Sequence, residues 1–168
     1  MKNLIPLKSK EVKLLREMIF SMYGYEPALE CAVFLHEFEN KLYLLDRSFI
    51  DLDLNAFRVN SLGSYFAEYN DDKTNLRLSI EGSQMIGPHA TKNVLTLSDD
   101  AFFLWSKGQN IPMTSIGADI TTFSGYVIIK NSLGDFFGVG RIKNDELLNF
   151  TPKIRRVAID ADAQKEFD

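Results

Sequence analysis

Two apolar runs in the last third of the chain, Gly125-Tyr126-Val127-Ile128-Ile129 and Phe136 to Ile142, flank the turn residues Asn131-Ser132-Leu133-Gly134. Runs of this length joined by such a turn form a β-hairpin, and a hairpin alone is not stable in water. The flanking sequence must therefore complete a sheet around it. Val94–Leu97 predicts a strand before the hairpin. Arg156–Ile159, with Val157 and Ile159 directed the same way, predicts one after it. Ser98-Asp99-Asp100 supplies an N-cap and two acids for a short helix over Ala101–Trp105. Ile111–Thr122 reads as a polar loop, and Asp145–Asn149 as a helical turn or loop. Four or more short strands within about 75 residues point to a small, partly closed β pseudobarrel.

The first half has a different pattern. From Ser9, Val12, Leu15, Ile19 and Met22 recur at helical spacing, Leu14 and Met18 widen the stripe, and Gly24 and Pro27 end it. Short strands follow at Cys31–Leu35, Lys41–Leu45, Gly63–Tyr69 and Leu76–Ile80, separated by Asn40 and Asn70-Asp71-Asp72. A short helix is expected within Ser48–Asn60. The pair of breakers in Gly87-Pro88-His89 marks the best boundary. The fold class is thus an α/β (α+β) unit with a mostly antiparallel sheet over residues 1–90, then the pseudobarrel over residues 91–168.

The 168 residues are 45% hydrophobic, which indicates a folded chain with a sizeable core. A single cysteine, Cys31, excludes an intrachain disulfide, and its apolar neighbours suggest a buried thiol. No apolar run reaches the length of a membrane span, and MKNLIPLKSKEVK turns charged before a signal-peptide core could form. The expected setting is cytoplasmic.

No constellation nominates an enzyme. His36, His89 and Cys31 have no closed-site metal spacing. Gly138-Val139-Gly140 lies inside a strand and lacks the third glycine of a dinucleotide loop, so close backbone approach explains it better. Asp51, Asp53, Asp71 and Asp72 sit in polar stretches that read as solvated surface. The sequence therefore gives no catalytic residue, no metal and no cofactor.

Charge is the remaining signal. Net charge is −4, yet residues 123–157 carry six cations, Lys130, Arg141, Lys143, Lys153, Arg155 and Arg156, against Asp135, Asp145 and Glu146. Arg141 and Lys143 alternate on the return strand and share a face. If Lys153, Arg155 and Arg156 converge with them beside Lys130, the rim would hold phosphates, and one of the adjacent residues Phe136 and Phe137 could stack on a base. The alternative is a scattered, solubilising surface.

The segment Asn60-Ser61-Leu62-Gly63-Ser64-Tyr65-Phe66-Ala67-Glu68-Tyr69, with Leu76-Arg77-Leu78-Ser79-Ile80 after it, resembles the "SLGT.FG.F … FRL" core of the small ribosome-biogenesis factors called Nip-seven. The later segments Val94–Leu97, Phe102-Phe103-Leu104-Trp105 and the hairpin through Gly140 look like that family's C-terminal half. The resemblance implies a pre-PUA domain followed by a PUA domain, of archaeal or eukaryotic type and without enzymatic activity. It implies a role in maturing large-subunit ribosomal RNA, with RNA, structured or uridine-rich, held through basic residues of the PUA domain. Assembly proteins would meet the N-terminal domain, in the nucleus or nucleolus if the source is eukaryotic, and nothing calls for DNA or a membrane. Two departures stand out. Ser106 replaces a family glycine, with Lys107-Gly108-Gln109-Asn110 after it, and the tail Asp160–Asp168 is acidic. They keep a second reading open, a protein adaptor; a third, an accessory or divergent RNA-modification protein, rests only on PUA domains often being appended to such enzymes.

Overall fold

A computed structural model describes residues 3–116 and 122–157. The first sheet is an antiparallel meander, β1 (Leu4–Pro6), β2 (Ala32–His36), β3 (Lys41–Leu45), β4 (Ser64–Tyr69) and β5 (Leu76–Leu78), in chain order. Helix α1 (Ser9–Tyr23) leaves β1 and lays Leu15 and Ile19, which its spacing predicts, on one face of the sheet, with Tyr23 buried beside them in the place expected of Met22. The Glu11 carboxylate accepts the Lys8 N–H at 2.7 Å, and Gly24, at φ +70°, closes the other end in the left-handed conformation. Leu14, assigned to the apolar stripe from its spacing, is 54% exposed instead.

Alternation decides which side chains meet α1. Val33 and Leu35 of β2 join its core, whereas Ala32 and Phe34 face the opposite side and pack with Leu54 and Leu62. The segment between β3 and β4 therefore covers the second face of the sheet. It does so with two short 3-10 turns, Arg47–Phe49 and Leu54–Ala56, each started by an aspartate side chain (Asp46, Asp53), in place of the expected α-helix.

The strand expected over Leu76–Ile80 stops at Leu78. Ser79 accepts the Gly82 N–H at 2.9 Å through its hydroxyl and starts α2 (Ile80–Ile86). The capping serine with an acid in the first turn was the signal, and the apolar alternation concealed it. From α2 the chain passes through a 3-10 turn, Gly87–His89, to the second sheet.

That sheet has the order β6 (Val94–Thr96), β8 (Tyr126–Lys130), β9 (Phe136–Lys143), β10 (Glu146–Asn149), β7 (Ile111–Pro112). β6 runs parallel to β8 and the other pairs are antiparallel. α3 (Asp99–Ser106) lies between β6 and β7 in the chain, started by Ser98. The sheet curls into a half-barrel and does not close: among the described residues β6 and β7 remain unpaired edges. Two short strands were missed, β7 within the expected loop and β10 within the expected turn. Asn144 and Asp145, at φ +51° and +59°, make the two-residue turn that creates β10. Arg156 and Val157 carry no strand, following instead a 3-10 turn at Lys153–Arg155. Ile159 lies outside the described residues.

A bulge in β9 sets the faces of the hairpin. Ile128 pairs with Val139 and Lys130 with Phe136, so Phe137 and Gly138 together oppose Ile129. Gly138 takes φ +82° there. Phe136 consequently joins the core under α1 and Phe137 the core around Trp105. They face opposite ways, as expected, but both are packed.

Candidate nucleic-acid interface

Cross-strand register places Tyr126 of β8 directly opposite Arg141 of β9. The Arg141 guanidinium carbon lies 6.0 Å from the Tyr126 ring centre. Tyr126 meets Phe150 edge-on at 5.7 Å, and the Arg77 guanidinium stands over Phe150 at 5.2 Å. Arg141, Tyr126, Phe150 and Arg77 thus form a ladder of cation, ring, ring and cation from the second sheet to β5 of the first. Arg141 is exposed and the other three are half-buried.

A carboxylate anchors the inner end. Arg77 donates to Glu68 at 2.8 Å, and the same carboxylate oxygen accepts the Tyr65 hydroxyl at 3.0 Å. Desolvation would lower the Arg77 pKa, but the hydrogen bond and charge of Glu68 hold it above its ordinary value. Burial first, then the Glu68 charge, pushes the Tyr65 phenol upward. Both groups therefore keep their protons at neutral pH, as donors.

Beside the ladder is a cavity of about 310 Å³ between the sheets, walled by Leu78, Ile80, Val139 and Phe150 and rimmed by Tyr65, Arg77, Glu81 and Arg155. Arg155 reaches it from the 3-10 turn and forms an ion pair with Glu81 in the first turn of α2.

The six cations singled out in the sequence do not occupy equivalent places. Arg141 and Lys143 share one face of β9 and are exposed, Lys143 lying across from Glu146. Arg155 borders the cavity. Lys153, exposed on the same turn, does not line it. Arg156 turns away, donating to the Thr151 carbonyl at 3.0 Å and packing over Gly108. Lys130 stands at the other end of β8, 5.8 Å from the Phe136 ring and about 13 Å along the strand from Tyr126. It is not beside the others.

Arg77, Tyr126, Tyr65 and Glu81 were missed. Arg77, Tyr65 and Glu81 belong to the first half of the sequence and Tyr126 to a strand read only for its apolar character, so no local pattern links them. Ser106, the departure from the family glycine, ends α3 with its hydroxyl donating to the Phe103 carbonyl, and Gly108 supplies the left-handed residue at φ +80°. Cys31 is half-buried, not buried as expected, because it precedes β2; desolvation by its surroundings still raises its thiol pKa. His36 is buried and accepts the Glu39 N–H, and His89 stacks on Tyr25 at 4.7 Å. Among the described residues no three His, Cys, Asp or Glu side chains converge as metal ligands, and no helix is long and apolar enough to cross a membrane.

No protein-family model matches the sequence, and no curated protein sequence matches it. Solved structures do match. A conserved PUA domain protein of Thermoplasma acidophilum superposes with a TM-score of 0.59 at 14% identity, over 84% of this chain and 81% of that one. A hypothetical protein of the hyperthermophilic archaeon Pyrococcus horikoshii gives 0.56 at 14% identity, over 91% of this chain and 86% of that one. At that identity the likeness is one of fold: across most of its length the chain is built like a PUA-domain protein, an antiparallel α+β unit joined to a curled half-barrel.

Proposed function

We propose that the protein binds RNA as a non-enzymatic factor of ribosome assembly, acting on precursor RNA of the large subunit as the Nip-seven resemblance implies. The observation that carries this is the ladder of Arg141, Tyr126, Phe150 and Arg77, since alternating cations and rings suit phosphates and unpaired bases together. Lys143, Lys153 and Arg155 add charge around it. Arg156 and Lys130 contribute at the periphery. Titrating the protein with a structured RNA and with a uridine-rich single strand, at several salt concentrations, tests the reading. Arg141→Ala with Lys143→Ala is expected to lower the slope of log affinity against log salt by roughly 1–2. An unchanged slope would defeat it.

A second reading, a protein adaptor, is favoured by one observation. Phe49, Ile50, Leu52 and Phe57, on the segment that covers the first sheet, are each 40% or more exposed. Ile50→Ser with Phe57→Ser is expected to leave the RNA titration unchanged. It would abolish capture of an assembly protein if this face is the one used.

A further inference from the structure

Resting on the RNA reading above, we propose that the cavity between the two sheets accepts a single unpaired base of the bound RNA, stacked on Phe150 and read at its polar edge by Arg77 and Arg155.

Size comes first. At about 310 Å³ the cavity lies at the small end of the range for small-ligand sites, roughly 300–1,000 Å³, so it admits one planar ring system and no duplex. RNA recognised by sequence offers such rings where loops or single strands splay their bases outward. The walls match the chemistry of a base. Leu78, Ile80 and Val139 present apolar surface, Phe150 an aromatic wall, and Arg77 stands over that ring.

The rim carries groups that can change partners. The side chains of Arg155 and Glu81 are 53% and 36% exposed, and an ion pair so open to water is weak. Arg155 can therefore leave Glu81 for a phosphate or a base carbonyl, while the freed carboxylate accepts from a base amine or imide. Ile154, 92% exposed, stands at the mouth with its apolar side chain in water. An incoming base or ribose would cover it. Arg141 lies two residues beyond Val139 on the same face, about 7 Å along β9, where it would meet the backbone of the strand delivering the base.

A short single-stranded oligouridylate and a mixed-sequence strand of equal length are the probes, titrated at several salt concentrations. Phe150→Leu removes the stacking ring but no charge. It is expected to weaken binding by roughly tenfold or more with the salt slope unchanged, whereas Arg141→Ala with Lys143→Ala lowers the slope. Ultraviolet crosslinking of the unaltered protein, read by peptide mass, is expected to place an adduct on Phe150 or Tyr65, and it does not depend on a variant folding. Undiminished affinity in Phe150→Leu, or adducts confined to peptides remote from the cavity, would overturn the cavity proposal and leave the RNA reading standing. No salt-dependent binding by the unaltered protein would overturn both.

Discussion

Tyr69 packs against the core under α1, and burial with the Glu11 charge pushes its phenol up to about 12. Tyr65 and Tyr23 are shifted upward as well, each chiefly by burial. In the unfolded chain all three ionise near their ordinary value of about 10. Because the folded-state values are the higher ones, this stability is fully present below pH ~10 and is lost as pH rises through and beyond it. Melting temperature is therefore expected to hold up to about pH 10 and then fall. Tyr69→Phe should make the fall shallower, which thermal melts followed by circular dichroism across alkaline pH would show. None of this was legible from the sequence, where these tyrosines read only as members of strands and a helix.

The elements were legible where pattern and turn chemistry agreed, as in α1 and the hairpin β8–β9. They were missed where one residue outweighed the pattern, as Ser79 does by ending a strand that the alternation would have continued. Helix α2, which it starts, then ties the two sheets together: the Ser83 hydroxyl accepts the buried Gly138 N–H at 2.8 Å at the bulge and donates to the Ile80 carbonyl. Ser83→Ala would leave that N–H without its acceptor and is expected to cost about 1–3 kcal/mol, measured by urea unfolding. Gly140 makes a second constraint, since a Cβ there would come within 2.7 Å of Leu147 and 2.9 Å of Trp105. Gly140→Ala is expected to destabilise by about 1–3 kcal/mol through overpacking, with a loss of near-ultraviolet dichroism from Trp105. The close-approach explanation of Gly138-Val139-Gly140 fits only the second glycine; the first is required by its left-handed φ of +82° at the bulge, where a Cβ would lie an ordinary 3.4 Å from Ile80.

At the scale of the molecule, Ile128 and Val139 of the second sheet are buried in the same cluster as Leu15, Ile19 and Phe66 of the first unit. A core shared in this way couples the two sheets. Calorimetry is expected to show one transition, and Val139→Ala should lower it as a whole; two separated transitions would show that the sheets unfold independently. By itself, the sequence determined the order of most elements, the α+β character of the first half and the excess of cations in residues 123–157, because these depend on side-chain periodicity and on counting. Only the tertiary structure decided that, among the described residues, β6 and β7 are left as open edges of the second sheet, that Lys130 stands apart, and that Arg77 of the first sheet joins Tyr126 and Phe150 of the second half. Those outcomes depend on register, on one bulge and on packing between distant segments, which no local pattern encodes.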